Sequence, residues 1–202
     1  MDRRTIETYS MAASGFADEW RQQPPPEDMY EWLRRFFVRG GGTADIGCGA
    51  GRDVAWLNAN GFPAVGYDAS SGLLGQARVR FPQFAFGESA LPKLEGIDAA
   101  AFDNVLCETV IMHLPPAQVG DACRRLRDIL KPRGVLYLTW RVSPGESFRD
   151  AAGRLYSAFD AELVMGALRG MEILLHAEAI NQSSGRRVQR VVARRAESEA
   201  SS

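Results

Sequence analysis

The chain has little of what marks a secreted, membrane-bound or metal-dependent protein. Its 202 residues include three cysteines, Cys48, Cys107 and Cys123, and two histidines, His113 and His176. Three thiols without a metal-type spacing form neither a disulfide framework nor a zinc site, and they read as reduced cysteines in a reducing compartment. No metal is expected. No apolar run approaches the ~20 residues needed to span a bilayer. The opening Met1-Asp2-Arg3-Arg4-Thr5-Ile6-Glu7 lacks the apolar core of a signal peptide, so the cytoplasm is the expected compartment and no membrane partner is expected. Charge is equally muted: Lys plus Arg number 24 and Asp plus Glu 25, a net charge of −1. With a pI near 6.2 nothing broadly attracts nucleic acid. There is no internal repeat. What remains is 46% hydrophobic and 24% charged, an ordinary composition for one domain with a single core.

Against this plain background one stretch stands out, Thr43-Ala44-Asp45-Ile46-Gly47-Cys48-Gly49-Ala50-Gly51-Arg52-Asp53. A short apolar run ends in an acid, three glycines follow at alternate positions, and a helical pattern begins at once. Such a strand–turn–helix junction needs glycine for positive φ or for close approach of a ligand to the backbone. It suggests a nucleotide-type cofactor site at the carboxyl end of the first strand of an open α/β sheet.

The rest of the chain supplies that sheet. Residues 2–20 read as one or two short helices, Gln22-Gln23-Pro24-Pro25-Pro26 as a linker, and Met29, Trp32, Leu33, Phe36 and Phe37 as one face of a helix running to Val38. After the glycine turn come a helix over 53–60, a strand over 63–68 and a helix capped by Ser70. Further strands are expected at 81–86, 102–107 and 135–140. Pro115 or Pro116 opens a helix that Lys131-Pro132-Arg133-Gly134 closes. A helix over 160–168 follows, then strands at 171–177 and 188–193 joined by the turn Gln182-Ser183-Ser184-Gly185. The expected fold is α/β: a Rossmann-like doubly wound sheet, mostly parallel, finished by a C-terminal antiparallel β-hairpin. Residues 1–39 form an N-terminal helical lid, 40–195 the main domain and 196–202 a disordered tail.

The glycine spacing narrows the cofactor. The dinucleotide fingerprint G-x-G-x-x-G would need its third glycine at position 52, which is Arg52, and the third glycine is Gly51. Asp45, two residues before the first glycine, would repel a pyrophosphate but suits a cationic amino-acid group. Asp68 ends the second strand, where a carboxylate can take both ribose hydroxyls. Four segments in order, Asp45-Ile46-Gly47-Cys48-Gly49-Ala50-Gly51, Val65-Gly66-Tyr67-Asp68-Ala69-Ser70, Phe102-Asp103-Asn104-Val105-Leu106-Cys107 and Leu130-Lys131-Pro132-Arg133-Gly134-Val135-Leu136, resemble the motif set of class I S-adenosylmethionine-dependent methyltransferases. The resemblance covers roughly residues 5–195. Thr5-Ile6-Glu7-Thr8-Tyr9 and Gly51-Arg52-Asp53 further resemble small bacterial stand-alone members, including tellurite-resistance-type methyltransferases.

The resemblance implies S-adenosylmethionine as cofactor and S-adenosylhomocysteine as product. It implies that Asp45 and the backbone of Gly47 and Gly49 hold the methionine end and that Asp68 binds the ribose. Ala69, Glu88 and Ser89 would lie by the adenine, and the Cys107 backbone would line the floor. Many relatives carry aspartate where this chain has Glu88. Tyr9 and Trp20 fall in the segment that closes over the cofactor in such enzymes, with Tyr9 a cofactor contact and Trp20 a substrate contact. His113, just after the fourth strand, is the best candidate base, although a part in holding the next helix start is the preferred reading. Arg141, after the fifth strand, is placed to meet an anionic substrate group, and Arg149 or Arg154 could do the same. Methyl transfer from a sulfonium chiefly needs alignment and exclusion of water. The expected activity is therefore methyl transfer by in-line displacement to a small molecule. An RNA or protein methyltransferase using the basic hairpin (Arg186, Arg187, Arg190, Arg194, Arg195) and a non-catalytic cofactor-binding module are the alternatives. Neither the acceptor nor the oligomeric state is encoded in a motif.

Overall fold

The computed structural model describes residues 1–143 and 145–197, so most of the expected tail, 198–202, lies outside the described residues. Two helices open the chain, α1 (Arg3–Met11) and α2 (Ala13–Gln22), and after the proline linker comes α3 (Glu27–Phe36). The α/β core then runs β1 (Thr43–Ile46), α4 (Arg52–Ala59), β2 (Ala64–Asp68), α5 (Ser71–Arg80), β3 (Ala85–Glu88), β4 (Phe102–Cys107), α6 (Pro116–Asp128) and β5 (Leu130–Arg141). A small ribbon, β6 (Phe148–Arg149) with β7 (Leu155–Tyr156), precedes α7 (Ala161–Ala167) and the hairpin β8 (Met171–Ile180) and β9 (Arg187–Arg195).

The seven-stranded sheet has the order β3-β2-β1-β4-β5-β9-β8. The first five strands are parallel, and β9 lies antiparallel between β5 and β8. Alternation along the strands divides the core in two. On β5, Leu136, Leu138 and Trp140 face the side covered by α6 and α7, where Val119, Cys123, Leu126 and Val164 are buried. Val135 and Tyr137 face the other side with Met29, Tyr30 and Leu33 of α3 and Val54 and Leu57 of α4. A parallel sheet with helices on both faces is the arrangement that puts loops at the carboxyl ends of its strands around one crevice. No helix among the described residues is long and apolar enough to cross a membrane.

Several boundaries differ from the sequence expectation, each for a local reason. The third strand starts at Ala85, not Phe81. The Phe81 N–H closes α5 on the Ala77 carbonyl (2.8 Å) and Phe84 turns back on Phe81 (3.0 Å), so 81–84 are used up in the turn. Helix α3 ends at Phe36 because Asn104 clamps Val38 like a neighbouring strand. Its Oδ1 accepts from the Val38 N–H (2.7 Å) and its Nδ2 donates to the Val38 carbonyl (3.0 Å). Lys131–Gly134 does not close α6 but forms an irregularity inside β5. Leu130 pairs with Phe102 and Val135 with Asn104, so the extra residues bulge opposite Asp103, whose carboxylate takes the Lys131 ammonium at 2.8 Å. The last two strands are longer than expected, and the ribbon of β6 and β7 had no clear signal.

Candidate active site

The glycine turn sits where β1 and β2 end side by side. The N–H groups of Gly47 and Cys48 both donate to the Tyr67 carbonyl, at 2.7 and 3.0 Å. The next free amide, on Gly49, donates to Asp68 Oδ2 at 2.9 Å, and Ser70 N–H donates to the other oxygen at 2.8 Å. Asp68 therefore ties two loops together before any ligand is considered. Gly47 and Gly49 have φ of +80° and +54°. A Cβ on Gly47 would lie 2.2 Å from Val110 Cγ2, and one on Gly49 would lie 2.8 Å from Trp20 Cζ3. Glycine is required here by backbone handedness and by side chains pressed onto the turn from both flanks.

A cavity of about 630 Å³ opens from this turn, inside the ~300–1,000 Å³ range of small-molecule pockets. Asp45, Gly47, Gly49, Asp68, Ala69 and Ser89 line it along the strand ends. Tyr9 and Trp20 reach it from α1 and α2, and His113 and Arg141 from beyond β4 and β5. Two expected residues do not line it. Glu88 ends β3 exposed to solvent, and Cys107 is fully buried in the core under α6. The next residue, Glu108, reaches the cavity instead. Ser89 does line it, but its N–H is taken by the Asp68 carbonyl (3.1 Å) and its hydroxyl donates to the Glu95 carbonyl (3.1 Å). His176 lies on β8 against Gln189, away from the cavity.

The cavity has two chemically different ends. At one, Arg52 grips both oxygens of Asp53 (2.9 and 3.0 Å) and Tyr30 donates to the same carboxylate at 2.8 Å. Asp45 is 3% exposed, and its Oδ2 has no hydrogen-bond partner among the described residues. Burial, reinforced by the Asp53 carboxylate, holds its carboxyl well above the usual range. Glu108 is half-buried, and both its oxygens are used: Thr139 donates at 2.5 Å and Asn181 at 2.7 Å. Burial still pushes it up to about 7. Sequence reasoning missed Glu108, although a carboxylate one residue past a central strand is a signal that points to such a crevice.

At the other end α1 meets the turn after β4. The Leu155 carbonyl lies 2.6 Å from His113 Nδ1. A carbonyl only accepts, so Nδ1 carries the proton and Nε2 accepts from the Tyr9 hydroxyl at 3.2 Å. Burial lowers His113 to about 4 and keeps it neutral, and burial raises Tyr9 to about 12. Arg154 donates to Tyr9 (3.3 Å), is paired with Asp150, and stands over the rings of Tyr9 and Phe16. Both imidazole nitrogens are thus occupied, which makes His113 a positioning group for the first helix.

Comparison with known proteins finds this geometry in methyltransferases. Residues 44–136, a little under half of the chain, match the methyltransferase domain family. The fold is that of the class I S-adenosylmethionine-dependent methyltransferases. It is 32% identical over 97 residues to an uncharacterized methyltransferase of Synechocystis, covering 46% of this chain and 44% of that one. It is 30% identical over 152 residues to a ubiquinone biosynthesis O-methyltransferase of Alkalilimnicola ehrlichii, covering 69% and 60%. The chain spans about half the length of the curated relatives it matches. Among solved structures, a Burkholderia thailandensis 1,6-didemethyltoxoflavin-N1-methyltransferase with bound 1,6-didemethyltoxoflavin and S-adenosylhomocysteine superposes with a TM-score of 0.76 at 20% identity, covering 96% of this chain and 88% of that one.

The methyltransferase fold's cofactor, S-adenosylmethionine, fits the residues present. Its amino group is a cation, and Asp45 offers a buried carboxylate oxygen that nothing else in the site satisfies. Asp68 has an N–H on each oxygen and keeps further lone pairs toward the cavity.

Proposed function

We propose that the chain transfers a methyl group from S-adenosylmethionine to a small-molecule acceptor held between α1, α2 and the carboxyl ends of β4 and β5. The observation that carries the reading is the cavity at the strand ends. It is lined both by the orphaned Asp45 oxygen and Asp68 and by Tyr9, His113 and Arg141. S-adenosylmethionine supplies an activated methyl group on a sulfonium sulfur.

Each protein group then has a defined task. Asp45 neutralises the ammonium of the methionine end, and Gly47 and Gly49 let that end lie against the backbone. Asp68 accepts the ribose hydroxyls, while Ala69 and Ser89 wall the adenine side. Tyr9 and Trp20 close the top and exclude water. Glu108, half-buried and pushed up to about 7, keeps lone pairs beyond its bonds to Thr139 and Asn181 where His113 keeps none, so it is better equipped to take a proton from an acceptor that starts protonated.

The hairpin arginines give little support to a nucleic-acid substrate. Arg187 and Arg194 pair with Glu178 and Glu172 of β8, Arg195 donates to main-chain carbonyls of residues 127–130, and Arg190 is 5% exposed and paired with Asp28 of α3. With four of the five hairpin arginines paired or bonded within the chain and Arg186 left exposed, a strongly salt-sensitive tRNA affinity is not expected.

Calorimetric titration with S-adenosylhomocysteine and with NAD tests the reading. S-adenosylhomocysteine is expected to bind and NAD is not. Binding of NAD alone would overturn the proposal.

A further inference from the structure

Five arginines line the cavity: Arg21, Arg52, Arg80, Arg141 and Arg154. Four have a carboxylate partner: Asp18 serves Arg21 and Arg80, Asp53 serves Arg52 and Asp150 serves Arg154. Arg141 has none among the described residues. Its Nε is buried without a hydrogen-bond partner, and its guanidinium carbon lies 5.2 Å above the centre of the Tyr156 ring. A guanidinium nitrogen withdrawn from water with neither a hydrogen bond nor a counter-charge is unfavourable unless a ligand supplies one. Its contact with the Tyr156 ring restrains the group, and a guanidinium fork suits a planar, two-oxygen partner.

The surroundings describe the rest of that ligand. Tyr156 and His113 meet edge to face at 5.0 Å, and His113 and Tyr9 at 5.7 Å. Three flat rings border Arg141, and Met112 lines the cavity beside them. Such walls favour a flat ring over a flexible or strongly hydrated molecule.

We propose that Arg141 anchors the carboxylate of a small aromatic methyl acceptor, whose ring lies among Tyr156, His113 and Tyr9. This rests on the methyltransferase reading and deepens it by naming an acceptor class, an aromatic acid. The same guanidinium chemistry would also suit the carboxylate at the methionine end of the cofactor. The two sources are separated by experiment.

The test uses the full chain saturated with S-adenosylhomocysteine, titrated calorimetrically with benzoate and with its neutral isostere benzamide. Benzoate is expected to bind at least tenfold more tightly than benzamide, a difference of about 1.4 kcal/mol. In Arg141→Gln that preference disappears, while S-adenosylhomocysteine affinity stays within about twofold. Arg141→Lys, which keeps the charge but loses the fork, retains part of the preference. Equal binding of benzoate and benzamide, or no binding of either, overturns the proposal. So does a tenfold loss of S-adenosylhomocysteine affinity in Arg141→Gln with methylthioadenosine affinity unchanged, since that assigns Arg141 to the cofactor. If the variants do not fold, the benzoate–benzamide comparison on the unaltered chain still decides. Failure of S-adenosylhomocysteine to bind the unaltered chain is a different result, and it sinks the methyltransferase reading itself.

Discussion

The Tyr9 hydroxyl donates to Nε2 of His113 across 3.2 Å, joining the first helix of the chain to the turn that follows β4. The bond needs a neutral imidazole, because a protonated ring has no lone pair to offer. His113 is depressed to about 4 from an ordinary 6.5. The unfolded chain then binds more protons between those values, so this group's contribution is present above pH 6.5 and is lost as pH falls toward 4. The full difference is worth ~3 kcal/mol at most. In His113→Gln, differential scanning calorimetry should show a weaker acid destabilisation over that window than the parent. An identical pH dependence would refute the assignment.

Glu108 works in the opposite direction. Raised to about 7 from an ordinary 4.5, it favours the folded state when protonated, so its contribution is present below pH 4.5 and is lost as pH rises through 7. Glu108→Gln should gain stability relative to the parent as pH rises from 5 to 8, by up to ~3 kcal/mol. Denaturant unfolding without ligand measures this. A constant difference between parent and variant would show that Glu108 is not a strained carboxylate.

Asp45→Asn should separate binding from stability. The buried carboxylate faces Asp53 and Glu108 with an oxygen unpaired, so neutralising it leaves melting unchanged or raised. S-adenosylhomocysteine affinity should fall at least tenfold, the ~1.5–3 kcal/mol of a charge-assisted hydrogen bond. Retained affinity would remove Asp45 from the methionine site.

Asp68→Ala is a different case, because Asp68 also holds the N–H groups of Gly49 and Ser70. Ligand-free stability should fall by ~1–3 kcal/mol along with cofactor affinity. A variant that loses affinity but keeps its full unfolding free energy would contradict the bridging role.

Arg190→Met leaves Asp28 without its cation at the junction of α3 and β9. Removing one partner of a buried pair costs ~3–5 kcal/mol, whereas Arg190→Met with Asp28→Leu should recover much of it. Chemical denaturation of both variants decides, and a single substitution as harmless as the double would show the pair to be superficial.

The strand–helix alternation, the glycine turn and the two strand-end acids were readable because each depends on local spacing: Asp45, Gly47, Gly49 and Asp68 all reach the cavity where the pattern put them. Glu88 and Cys107 did not, because their neighbours decide which way they face. Glu88 projects from an edge strand into solvent, and Cys107 turns under α6 while Glu108 takes the cavity. The role of Arg190 was hidden for the same reason. Nothing within its hairpin says that α3, some 160 residues earlier, will bring Asp28 to it. The bond between Tyr9 and His113 likewise spans 104 positions and has no local signature.

The order β5-β9-β8 has a consequence for a chain made from its first residue onward. When synthesis has reached Ile180, β5 has its β4 side paired, but its other edge, Val135 through Arg141, still awaits β9. That edge is apolar and open to any passing strand until Arg195 has left the ribosome. Among the described strands β9 comes last in the sequence yet lies inside the sheet, so a chain cut short before it would leave the β5 edge open to pairing with another strand.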